Sequence, residues 1–160
     1  MAGAASAPYP TLPPDLTPTR IGWDASTLDP LQPVAQARRR SRAWVQTHWR
    51  IPCDIAESVE LAVSELCTNA VRHGGGLAGL ELLRVSPSRY GPSSLRVLVT
   101  DHRPDRPPRT TPPAGPLSEH GHGLTLVCAL TLSWGWHTLG TDQKQVWCKF
   151  AVPGPYVAGC

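Results

Sequence analysis

Three short stretches of this 160-residue chain carry residue types that could do chemistry. The first is SELCTNAVRH, residues 64–73. Wound as a helix at about 100° per residue, it places Glu65, Asn69 and Arg72 within a sector of roughly 60°, with His73 beside them. A carboxylate and an amide oxygen one helical turn apart can hold a hard cation such as Mg²⁺, directly or through water. An ordinary solvated face ending in a histidine has the same spacing. The second stretch is RVLVTD, which ends on Asp101. An acid at a strand end beside a long loop is a frequent ligand contact, and equally a frequent turn starter. The third is GHGL, residues 121–124. Gly121 and Gly123 allow close backbone approach to an anion, and a helix opening at Leu124 offers free N–H groups. A plain loop-to-helix junction fits that stretch as well.

The elements that must position these residues are legible from periodicity. Residues 34–49 predict an amphipathic helix, with Val34, Ala37, Trp44, Val45 and His48 near one stripe. The next helix is the clearest element. Asp54 is expected as its N-cap, with Glu57 completing a capping-box pair. Val59, Ala62, Val63, Leu66 and Ala70 form its buried stripe. Gly74-Gly75-Gly76 ends it, at the position where φ is commonly positive. Residues 20–24 predict a short edge strand, and residues 77–86 and 95–101 two further strands. Residues 123–133 predict an apolar helix, and residues 134–139 and 145–152 a closing hairpin. Trp134 and Trp136 share one sheet face, and with Trp147 they are assigned to the core. The order predicts an α+β fold, a two-layer sandwich whose mixed sheet is covered by helices on one face.

Composition narrows the function classes. Seven of the 18 prolines fall in the first 33 residues, and six more between Pro104 and Pro116. Proline fixes φ and removes a donor, so neither stretch is long regular structure. Residues 1–19 are expected to be a disordered Pro-rich tail, 20–152 one domain, 102–120 a lid-like loop within it, and 153–160 a C-terminal tail. No run of apolar residues is long enough for a transmembrane helix. The first residues lack a basic and then apolar secretory pattern, so a cytoplasmic protein is expected. The net charge of +3 is mild, and Arg38, Arg39, Arg40 and Arg42 form the main basic cluster. That argues against direct nucleic-acid binding and leaves the cluster as a candidate partner surface. The five cysteines, Cys53, Cys67, Cys128, Cys148 and Cys160, lack knuckle spacing. They argue against a zinc or redox site and for small core hydrophobes.

The order of the three stretches is more informative than any one of them. A helix with E-x-x-x-N, a strand ending in Asp, a long loop and then GxGL resembles the histidine-kinase-like (GHKL) ATPase domain. ELAVSELCTNAVRHG, VTDHRPDRPP, GHGLTLVCAL and the final KQVWCKF are similar to blocks of its stand-alone members, the anti-sigma-factor serine/threonine kinases and related ATP-binding proteins of actinobacteria. The resemblance covers about residues 34–151. It implies that ATP and Mg²⁺ are bound. Asn69 would be the metal ligand, and Glu65 the general base or the group that orients the attacking hydroxyl. Asp101 would accept from the adenine amino group, and Gly121 and Gly123 would flank the lid. Leu124 and Val97 would wall the base slot, with Arg72 and His73 near the phosphates. The second box departs from the family's Asp-x-Gly-x-Gly, because Asp101 is followed by His102, Arg103 and Pro104. Gln143-Lys144-Gln145 stands where Gly-Lys-Thr is usual.

Two functions from different classes follow. One is a protein kinase that phosphorylates or sequesters a small regulatory partner, such as a sigma factor or its anti-sigma antagonist. The other is a catalytically inactive interaction module of the same fold, controlling a transcription-regulatory partner. The resemblance also implies a possible homodimer, with no nucleic acid or membrane contacted directly.

Overall fold

A computed structural model describes residues 17–86, 93–110 and 123–153. The order along the chain is β1 (Thr17–Asp24), a single 3₁₀ turn, α1 (Pro33–Thr47), α2 (Cys53–His73), β2 (Leu77–Ser86), β3 (Ser93–Asp101), α3 (Gly123–Leu130), β4 (Ser133–Leu139) and β5 (Gln143–Val152). The five strands form one sheet in the order β1-β2-β3-β5-β4. The expected α+β sandwich is present, but the sheet is antiparallel at every pairing rather than mixed. The connections explain this. β2–β3 and β4–β5 are hairpin neighbours, and α3 returns the chain to an edge position beyond β5.

Helix α2 forms because its apolar residues recur every three or four positions. Val59, Ala62, Val63, Leu66, Cys67 and Ala70 are all buried. They pack on the sheet face made by Leu80, Leu82, Val97, Val99, Val146 and Cys148. Its start differs from expectation. The helix begins at Cys53 with Pro52 at the N-cap position and no side-chain cap. Asp54 therefore lies inside the first turn, where a negative charge still suits the helix dipole. Glu57 does not close a capping box. It pairs with Arg42 of α1 at 3.6 Å, and Glu60 takes Arg42 at 2.6 Å and Arg38 at 3.3 Å. Part of the arginine cluster is thus spent on holding α1 against α2.

Other boundaries shift for local reasons. Strand β1 starts at Thr17 and runs along β2 from Thr17↔Ser86 to Asp24↔Gly79, so the strand reaches into the expected tail. Residues 1–16 and 154–160 of the two tails lie outside the described residues. Helix α3 stops at Leu130, and Leu132 donates from its backbone to Lys149 to open the β4–β5 pairing. Trp134 and Trp136 pack on the helix-facing core, as expected of two residues flanking one position. Trp147 does not join them. It pairs with Gly135, which points to the opposite face, and its indole covers the space that a side chain at Gly135 would need. Cys67 and Cys148 are core hydrophobes, whereas Cys128 is half-buried and Cys53 exposed.

Two outcomes test this packing. Leu82, fully buried at the centre of the helix-facing layer, should cost about 2–5 kcal/mol on truncation to alanine, read by urea unfolding. Leu31→Ala, at an 88% exposed position, should leave the midpoint unchanged. Burial pushes the Cys67 thiol up to about 12 and the Cys148 thiol higher still. A thiol reagent at pH 8 should therefore label Cys53 in the folded protein and reach Cys67 and Cys148 only on unfolding.

Candidate functional site

The last turns of α2 and the end of β3 meet at a glycine. Gly74 caps the helix by donating its N–H to the carbonyls of Asn69 and Ala70. The Gly74 carbonyl accepts the His102 N–H at 2.9 Å, which joins the helix end to the residue after β3. The Asp101 carboxylate lies directly on Gly74, so a Cβ there would collide with it. Gly75 and Gly76 follow at φ 71° and 118°, the left-handed region that turns the chain into β2. The GGG run is thus both a helix stop and a seat for Asp101.

Asp101 is 4% exposed, and Lys144 is 3% exposed. They face each other across β3 and β5 in direct register. The Lys144 ammonium donates to Asp101 Oδ1 at 2.8 Å, to Oδ2 at 2.7 Å and to the Arg103 carbonyl at 2.9 Å. Oδ1 also accepts the Arg103 backbone N–H at 3.0 Å. All three ammonium protons are used, while Oδ2 keeps an acceptor position. This arrangement fixes the turn after Asp101.

Glu65 and Asn69, both half-buried, lie on the side of α2 that faces α3. Gly123 opens α3 directly against Glu65. A Cβ on Gly123 would collide with the Glu65 carboxylate oxygen. A side chain at this position would displace the Glu65 carboxylate from its seat against α3.

These residues line one cleft of about 700 Å³. The structure brings together Glu65, Asn69, Arg72, His73, Asp101, Gly123 and Leu124. Gly121 lies outside the described residues, as do positions 111–120 of the expected lid. Val97 is not in the wall. It is fully buried two residues deeper, between Leu82 and Cys148, and Val99 takes the wall position with Val146. Arg72 and His73 stand exposed at the rim.

Sequence reasoning missed the contribution of the Pro-rich loop. Arg106 and Arg109 reach the cleft together with Pro107 and Pro108. Among the described residues, Arg72, Arg106 and Arg109 make no ion pair, so one end of the cleft carries a net positive field. Asp105 does not cancel it. Arg103 donates to both its oxygens at 2.8 Å, and that hydrogen bonding holds the carboxyl down to about 2. The alternation of Arg and Pro in DRPPR was the available signal. A cleft results with an apolar wall, one buried acceptor and a cationic mouth, suited to an anionic ligand with a flat polar ring.

Fold and site together define an α+β domain with a lined cleft where α2, the end of β3 and the start of α3 meet. The model of the histidine kinase-like ATPase domain matches residues 28–150, most of the chain, and the chain belongs to that family. It is also similar to an uncharacterized protein of Streptomyces coelicolor, with 36% identity over 94 residues, spanning 58% of this chain and 85% of that protein. No helix among the described residues is long and apolar enough to cross a membrane.

Removing one member of the buried ion pair should be severe. Lys144→Met leaves Asp101 without its counter-charge and should cost about 3–5 kcal/mol in denaturant unfolding. Replacing both residues, as Asp101→Asn with Lys144→Met, should recover part of that loss.

Proposed function

We propose that the cleft binds Mg-ATP and that the protein acts on, or sequesters, a small regulatory protein partner. The observation that carries this is the convergence on one cleft of Asn69, Glu65, Asp101 and Gly123 with three cationic side chains. Asp101 Oδ2 would accept a hydrogen from the adenine amino group, against the wall of Val99 and Val146. Arg72, Arg106 and Arg109 would meet the phosphates.

The donors at the phosphate end fit Mg²⁺. Asn69 and Glu65 offer oxygen only, and Mg²⁺ typically takes one or two protein oxygens and completes its shell with phosphates and water. Among the described residues no cluster of three or more His, Cys, Asp or Glu forms a closed metal cage, so the nucleotide itself would supply most ligands. Asn69 would hold the ion, which when bound would neutralise charge on the phosphate oxygens. Glu65, one turn away and seated against the start of α3, would accept the proton of an attacking Ser or Thr hydroxyl on the partner. On this reading the protein is a serine/threonine protein kinase of the anti-sigma type, with a sigma factor or its antagonist as the partner class.

One observation favours the alternative, an inactive interaction module. Lys144 already holds both oxygens of Asp101, which leaves a single acceptor position for the base. Titration calorimetry decides whether the site is live. Mg-ATP should bind, EDTA should weaken binding, and Asn69→Ala should cost about 1.4 kcal/mol or more, a tenfold loss. Transfer from radiolabelled ATP to a candidate partner should fall about 100-fold or more in Glu65→Gln while binding persists. Binding without transfer in the unaltered protein supports the module. Absence of binding removes the ATP assignment.

A further inference from the structure

Arg106 and Arg109 reach the cleft from a loop without regular structure, yet the backbone of that loop is tied down. The Arg106 N–H donates to the Arg103 carbonyl at 3.1 Å, closing a four-residue turn with Pro104 at its second position. The same carbonyl accepts the Lys144 ammonium at 2.9 Å, and that ammonium also holds both oxygens of Asp101. An unbroken chain of hydrogen bonds therefore connects the buried acceptor Asp101 to the backbone of Arg106.

Beyond Arg106 the prolines set the path. A residue that precedes proline is driven out of the helical region into extended backbone, which applies to Arg106 before Pro107 and to Pro107 before Pro108. No peptide bond among the described residues is cis, and none of residues 106–109 has a positive φ. A polyproline II path follows, with three residues per turn and a rise of ~3.1 Å per residue. Arg106 and Arg109, three apart, then stand on one side of the segment, about 9 Å from one another. Both line the cleft, as residues on one side should. Neither is spent elsewhere. Arg103 grips both oxygens of Asp105 at 2.8 Å, and among the described residues Arg106 and Arg109 make no ion pair.

We propose that this segment is a ruler for phosphate number: Arg106 meets the phosphates that ATP and ADP share, and Arg109 meets the terminal phosphate that only ATP has. The proposal rests on the reading of the cleft as a nucleotide site. A guanidinium offers paired N–H donors that match two oxygens of one phosphate. A flexible loop could move inward to follow a shorter phosphate chain. A segment pinned at Arg106 and stiffened by two prolines cannot, so Arg109 is left without a partner when the third phosphate is absent. The order Asp101, Arg106, Arg109 along the chain is then the order base, shared phosphates, terminal phosphate along the ligand. The protein thereby responds to the ratio of ATP to ADP and not to their sum.

Titration calorimetry of the full-length chain with Mg-ATP and with Mg-ADP tests this. The unaltered protein should bind ATP about tenfold or more tighter than ADP. Arg109→Gln should cut ATP affinity about tenfold and ADP affinity by less than about twofold, so that the preference disappears. Arg106→Gln should weaken both nucleotides by a similar factor. Pro107→Gly with Pro108→Gly keeps both charges and frees the spacing, and should reduce the preference to about threefold or less. A diffuse positive field would not respond to that change. Arg39→Gln, at an exposed position of α1 outside the cleft, should leave both affinities unchanged. Arg106 and Arg109 are exposed, so their variants should keep the urea midpoint of the unaltered protein. Equal losses for ATP and ADP in Arg109→Gln, an intact preference in the double-glycine variant, or no preference in the unaltered protein would overturn the ruler while leaving the nucleotide site standing. Failure of the unaltered protein to bind either nucleotide would overturn both.

Discussion

The carboxylate of Asp101, buried on Gly74 and gripped through both oxygens by Lys144, is the constraint on which the cleft depends. It couples three parts of the chain that are far apart in sequence. Gly74 ends α2, Asp101 ends β3, and Lys144 lies near the start of β5. Burying a lone carboxylate is costly, so the pair must form or the junction opens. Once it forms, the helix that carries Glu65 and Asn69 is fixed relative to the strand that carries Val99.

The same pair accounts for an unusual sequence. Asp101 is followed by His102, Arg103 and Pro104, and a charged side chain fixes the turn there. Lys144 ties the Arg103 carbonyl to Asp101, and the Arg103 N–H closes the turn from the other side. The prolines that follow stiffen the loop and carry Arg106 and Arg109 to the cleft. The loop is therefore compatible with anion binding through side-chain charge, in place of a flexible glycine backbone.

Much of the fold was legible because it follows from periodicity. The stripe of α2 and the strands β2 and β3 were read within two residues of their bounds, since both burial patterns are strong and local. That Glu65, Asn69, Arg72 and His73 share one side of a single helix was legible for the same reason. What escaped depends on register between distant strands. Nothing in Lys144 alone reveals Asp101 as its partner, 43 residues away. The placement of Val99 in the wall, and not Val97, is set by the pairing with Val146. The arginines of the loop were hidden because proline reads as a break in structure. Trp147 is buried as expected, but that it lies on the face opposite Trp134 and Trp136 follows from its register against Gly135, a tertiary fact.

The central claim is that the space between α2, the end of β3 and the start of α3 is a nucleotide site. Amide NMR of the isotope-labelled protein titrated with Mg-ATP addresses it most directly. The account predicts saturable shifts at Asn69, Gly74, Asp101, Gly123 and Leu124, with Leu83 and Leu98 on the outer face unmoved. Saturation without movement at Gly74 and Asp101, or shifts confined to another surface, would contradict it.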